Sequence, residues 1–98
     1  MEFNFNWKYK EFEIRKTENP SSGIAYWELV KWQHIRGKDS CFTLASFHKG
    51  SEDWELKFCG NRPFEHIDEE DLMVIWRMLK MTCNALNNYY TIERKLMR

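Results

Sequence analysis

At the start of the chain, Phe3, Phe5, Trp7 and Tyr9 alternate with Glu2, Asn4, Asn6, Lys8 and Lys10. Strict period two puts the four rings on one side of an extended backbone and the polar side chains on the other. That is the pattern of a half-buried β-strand. The alternation returns at Trp54, Leu56 and Phe58, with Glu55 and Lys57 between them. The sequence holds seven Phe, five Trp and four Tyr in 98 residues. Each such ring, once buried, takes about 150–250 Å² out of water. A chain this short gains enough from them to fold as one domain without disulfides or a metal. The aromatic load constrains the fold; by itself it points to no function.

The alternation slips once. Phe12 and Ile14 are one residue out of phase with Tyr9. One extra residue there makes either a β-bulge or a tight turn between two short strands. No Gly, Asn or Asp is present to make a two-residue hairpin turn, so the bulge within one long strand is favoured. Turn formers at 18–23, 37–39, 49–53 and 60–63 divide the first 63 residues into four apolar runs. The run from Ile24 to Ile35 and the run from Cys41 to His48 carry apolar residues on both faces. Short Gly-containing connections predict antiparallel neighbours. After Pro63 the period changes. Asp68 stands at a helix N-cap position, with Glu69, Glu70 and Asp71 in the first turn, where the helix dipole favours anions. Leu72, Ile75, Trp76, Leu79, Cys83, Leu86 and Tyr90 follow at steps of three and four, one apolar stripe with Trp76 near its middle.

The expected architecture is a single domain over residues 1–98 of the α+β class. A four-stranded antiparallel β-meander with a bulged first strand occupies residues 1–63. One long C-terminal α-helix over residues 68–95 packs on one sheet face. One helix covers only one face, so the second apolar face predicts a homodimer or another partner. Fifteen basic and fifteen acidic residues leave a net charge of zero, and little repulsion opposes pairing.

Zero net charge argues against a generic nucleic-acid binder. No stretch approaches the ~20 apolar residues of a membrane span. The N-terminal residues lack the basic and apolar segments of a signal peptide. Cys41, Cys59 and Cys83 match no zinc-ribbon or disulfide spacing, so free thiols in a reducing cytoplasm are expected. No phosphate-cradling, metal-protease or nucleophile-elbow motif occurs, and no cofactor is expected. Cys59, His66 and Asp68 supply the residue types of a thiol nucleophile, a base and an orienting acid. No family motif surrounds Cys59, and a cysteine on a pleated strand acts first as a small hydrophobe. A cysteine–histidine hydrolase is therefore the least favoured alternative, and the protein is read as a non-enzyme.

Two charged segments stand out. Residues 52–71 hold eight acids against two bases, a charge of −6. Helix-start chemistry accounts for Asp68 to Asp71 but not for Glu52, Asp53, Glu55 and Glu65. Glu52, Asp53, Glu55, Glu65, Asp68 and Glu69, with nearby exposed aromatics, are the expected face for a partner with a basic surface. The second segment interleaves basic and aromatic residues: Lys31, Trp32, Arg36 and Lys38 could stack and neutralise a single nucleic-acid strand or hold a small ligand.

The run W-E-L-K-F-C-G-N-R-P-F, residues 54–64, followed by a Trp-bearing helix, resembles small proteins of phages and prophages of Gram-positive bacteria. The resemblance covers residues 42–86 and carries over no functional residue. It implies an inhibitor or adaptor acting on a host enzyme or defence complex in the host cytoplasm. The expectation is a non-enzymatic protein–protein interaction module, with a sheet-based nucleic-acid or small-ligand binder as the alternative.

Overall fold

The computed structural model describes residues 4–60 and 64–96. Phe3 of the first aromatic run, Asn61-Arg62-Pro63 of the strand-to-helix segment and the terminal Arg98 lie outside the described residues. The order of elements is β1 (Trp7–Tyr9), β2 (Phe12–Glu18), β3 (Ala25–Ile35), β4 (Lys38–Lys49), β5 (Trp54–Phe58) and α1 (Glu69–Leu96). The strands form one antiparallel meander in chain order, and the helix packs on one face of it.

Among the described residues the sheet has five strands, not four. The phase slip after Tyr9 is a two-residue turn, Lys10-Glu11, which brings Tyr9 opposite Phe12 and Trp7 opposite Ile14. Direct partners across a ladder share a face, so an odd-numbered and an even-numbered series meet on one side. Lys10 takes a left-handed φ of 50° without being Gly, Asn or Asp. Its ammonium lies 2.8 Å from Asp71 of the helix, a contact that the turn's geometry brings about. The bulge lies elsewhere. Leu29 opposes Ala45 while Val30 opposes Thr43, so Leu44 is the extra residue on β4. It is buried and joins the core beside Ala45.

Trp27, Leu29, Ala45 and Phe47 of the central strands face the helix, with Phe12 and Ile14 of β2. The helix meets them with Ile75, Leu79 and Leu86, all fully buried. It crosses the sheet diagonally: Asp71 touches Tyr9 and Lys10 beside β1, whereas Asn87 touches Trp54 of β5. Asn87 lies within the helix. Its side chain accepts the N–H of Trp54 at 2.7 Å, and the helix runs on to Leu96. Trp76 departs from the expected stripe and is 44% exposed. The buried line runs through Ile75, Leu79, Thr82 and Leu86. Trp76, one position on and about 100° around, points past the sheet edge.

The second sheet face is not the apolar surface expected from the two central runs. Arg15 Nη2 pairs with Glu28 Oε1 at 3.0 Å, and Thr43 Oγ1 donates to Glu28 Oε2 at 3.0 Å. Trp32 Nε1 donates to Glu13 Oε1 at 3.0 Å. Val30 is buried among these groups, and Tyr26 stacks on His48 at 4.9 Å. Alternation placed Glu28 and Arg15 opposite each other, and their mutual satisfaction closes the face without a covering layer. The expectation of a homodimer loses the apolar face on which it rested.

Candidate functional site

The acidic residues expected to act together fall into two groups. Glu52 and Asp53 are exposed in the β4–β5 loop, where Gly50 donates its N–H to the Asp53 carbonyl at 2.8 Å. Glu55 is the second residue of β5, on the second face and opposite His48. Glu65 lies in the turn before the helix, its carboxylate 3.9 Å from His66. Asp68 takes the N-cap position, and its carbonyl accepts the Leu72 N–H at 2.9 Å; Glu69 opens the first turn. Glu69 and Asn87, the helix residue that touches Trp54, are about 27 Å apart along the helix axis. Glu52, Asp53 and Glu55 thus sit at one end of the crossing, and Glu65, Asp68 and Glu69 at the other.

Asp71 is withdrawn from the surface. It accepts hydrogen bonds from Lys10 at 2.8 Å and Tyr9 at 2.9 Å. The Lys10 hydrogen bond, then the Tyr9 hydrogen bond, hold its carboxyl below the usual carboxylate range. The same contact with Asp71 raises the Lys10 ammonium and the Tyr9 hydroxyl above their ordinary values. This cluster ties the first hairpin to the helix start.

The basic–aromatic segment is split between the two faces. Lys31 lies on the helix side, its ammonium 5.9 Å over the Phe12 ring. Trp32 lies on the second face, where it hydrogen-bonds to Glu13 and carries the Arg15 guanidinium 5.8 Å over its ring. Arg36 and Gly37 form the β3–β4 turn with φ of 54° and 77°. A two-residue turn with both φ positive matches the right-handed twist of its strands. Lys38 follows it, exposed.

Cys59, His66 and Asp68 are exposed, and no hydrogen bond joins any two of them. Among the described residues no three His, Cys, Asp or Glu side chains are grouped to hold a metal ion. Cys83 is half-buried and donates its thiol to the Trp54 carbonyl at 3.5 Å. Burial, and then the Asp53 carboxylate, push that thiol up from its ordinary value, which suppresses the thiolate.

What the structure assembles in the open is an aromatic cluster at the β5 edge. Phe58 stacks on Trp76 with ring centroids 6.2 Å apart and planes 17° apart, and meets Phe64 edge-on at 5.3 Å. Phe58 is 42% exposed and Met73 is 55% exposed. Lys80 lies 5.8 Å over the outer Trp76 ring. Glu69, Met73, Trp76 and Lys80 follow steps of four, three and four, so they form a second stripe on the helix beside the buried one. Residue spacing alone places Phe58 and Trp76 in the core, whereas both are more than 40% exposed. The signal for the outer stripe was its offset from Ile75, Leu79 and Leu86. A half-open cleft of about 410 Å³ lies at the opposite end of the sheet, lined by Tyr26, His48, Lys49 and Trp54 among others.

No helix among the described residues is long and apolar enough to cross a membrane. No protein-family model matches this chain, and no curated protein or solved structure is significantly similar to it.

Proposed function

We propose that this protein is a non-enzymatic protein–protein interaction module whose working surface is the Phe58–Trp76 cluster with the acids Glu65, Asp68 and Glu69 beside it. The observation that carries the reading is the solvent-facing stack of Trp76 on Phe58, with Phe64 and Met73 next to it. Large rings concentrated at one exposed place, rather than scattered singly, have the composition of binding hot spots. The neighbouring carboxylates favour a partner with a basic surface and steer its approach. The resemblance of residues 42–86 to small phage and prophage proteins gives the reading its specific form: an inhibitor or adaptor acting on a host enzyme or defence complex in the host cytoplasm.

The test is a photo-cross-linking amino acid at position 76 and, separately, at position 24, an exposed site at the far end of the sheet. A specific partner should be captured from position 76 only. With that partner in hand, Glu65→Lys with Glu69→Lys should slow association and weaken its salt dependence. Glu52→Lys with Asp53→Lys should leave the rate nearly unchanged. Capture from position 24 alone, or a rate sensitive only to the Glu52–Asp53 pair, would move the interface away from the cluster.

The cleft supports a second reading, a small-ligand binder, because about 410 Å³ lies within the usual range for such sites. Quenching of Trp54 fluorescence by a bound small molecule, lost in Trp54→Phe, would favour it.

A further inference from the structure

The hydrogen-bonding phase of β5 leaves part of its outer edge open beside the aromatic cluster. In an antiparallel ladder each residue turns both its N–H and its C=O toward one neighbour, and the next residue turns both toward the other. Trp54 gives its N–H to Asn87 and receives the Cys83 thiol on its C=O, so its backbone groups face away from β4. Cys59, five residues on, donates its N–H back to Leu44 of β4 at 2.9 Å. The alternation between these two fixed points turns the backbone groups of Leu56 and Phe58 outward. Helix side chains occupy the edge at Trp54; no described residue hydrogen-bonds to the outward groups of Leu56 or Phe58.

We propose that this open stretch of β5 takes an extended segment of the partner protein as an added antiparallel strand, with the side-chain pattern apolar–acidic–apolar–basic. The inference rests on the interface reading above and states what kind of segment docks there. The pattern follows from the register. Partner residues opposite Phe58 and Leu56 fall on the helix side, where Trp76 and Phe64 offer apolar surface. Residues opposite Lys57 and Glu55 fall on the second face, where an acid and then a base complement them. Backbone pairing supplies affinity and the alternate side chains supply specificity, as in other strand-addition complexes.

A second copy of this chain does not fit the same edge. A two-fold pairing that uses Leu56 and Phe58 of both chains centres on Lys57 and sets that lysine against its own copy, which destabilises the pair. Centring on Leu56 requires the backbone groups of Trp54, which Asn87 and Cys83 already hold. Centring on Phe58 requires Gly60, which has left the strand with a φ of 79°. The occupant is therefore a different chain.

The test uses the full chain and short fluorescent peptides with Ile-Glu-Val-Lys at their centre, read by anisotropy. The peptide residues that pair with β5 are the two apolar ones. N-methylation of Ile and Val should weaken binding by about tenfold or more, since it removes the pairing donors. N-methylation of Glu and Lys, whose N–H groups point away, should change it by less than about threefold. The charge-swapped peptide Ile-Lys-Val-Glu should bind about threefold weaker or worse, and Lys57→Glu should erase that preference. Lys57 is exposed, so folding is not at stake. Absence of peptide binding, or equal sensitivity to N-methylation at both pairs, overturns strand addition. If position 76 still cross-links a partner in that case, the aromatic interface stands without it; if it does not, both readings fall.

Discussion

Leu79 and Trp76 lie three positions apart on the helix, and the structure ranks them against the order of their size. Leu79 is fully buried between helix and sheet. Leu79→Ala removes three carbon groups at about 0.8 kcal/mol each, and the cavity left under a rigid sheet adds about 1 kcal/mol more, for roughly 3–4 kcal/mol. Trp76 keeps 44% of its surface in water. Its replacement by Ala re-exposes roughly 100 Å², worth at most about 2.5 kcal/mol at ~25 cal/mol per Å². The extended-chain reference inflates that figure, the Ala methyl retains part of the contact, and no closed cavity forms. The expected cost is about 1–2 kcal/mol. Urea unfolding followed by far-ultraviolet circular dichroism compares the two variants without relying on the tryptophan removed. Leu79→Ala should take away roughly a third to a half of the stability usual for a domain of this size, and Trp76→Ala clearly less. If Trp76→Ala is the more costly, the helix is turned by about 100° from the orientation described, and the exposed cluster does not exist.

Three further outcomes follow from the described contacts. Because Lys10 and Tyr9 hold the Asp71 carboxyl below its unfolded value, its stabilisation is fully present above the ordinary carboxylate range and is lost as pH falls from that range down through the depressed folded value. Urea midpoints measured from about pH 5 down to pH 2 should fall less steeply in Asp71→Asn, which starts from a lower value. Alkylation with iodoacetamide, resolved by mass spectrometry, should modify exposed Cys59 first and Cys83 last, since burial and Asp53 disfavour the Cys83 thiolate. Arg15→Ala leaves the buried Glu28 carboxylate with Thr43 but without its cation and should cost about 1–3 kcal/mol. The double variant Arg15→Ala with Glu28→Gln should recover part of that loss in the same unfolding experiment.

The antiparallel meander, the α+β class and the long helix were legible because each depends on local period and turn chemistry. Trp54 to Phe58 and Leu72 to Leu86 show their periods without ambiguity. The Lys10-Glu11 turn was legible only as the less favoured alternative to a bulge. A lysine in the left-handed region is held by an aspartate 61 residues away, and no local pattern records that. The polar character of the second sheet face is hidden in the sequence for a related reason. Glu28 and Arg15 look like isolated charges in otherwise apolar runs until the register sets them side by side. Spacing alone places Trp76 in the core because a hydrophobic stripe read that way has no sharp flank. Which flank residue looks over the sheet edge depends on the crossing angle, and the sequence does not state that angle. The acidic segment was visible as a charge excess, while its division between the two ends of the helix became visible only with the diagonal crossing.

That diagonal crossing sets the order in which a newly made chain becomes secure. All five strands precede the helix, so on a ribosome the sheet can close its hairpins while Trp27, Leu29, Phe47 and Trp54 have no cover on the helix side. Neither sheet margin is finished at that stage. Tyr9 and Lys10 await Asp71, and the edge at Trp54 awaits Asn87. One late helix supplies the missing partner at both margins. Until it docks, the nascent sheet is a sticky, open-edged intermediate that other chains or a holding chaperone can engage.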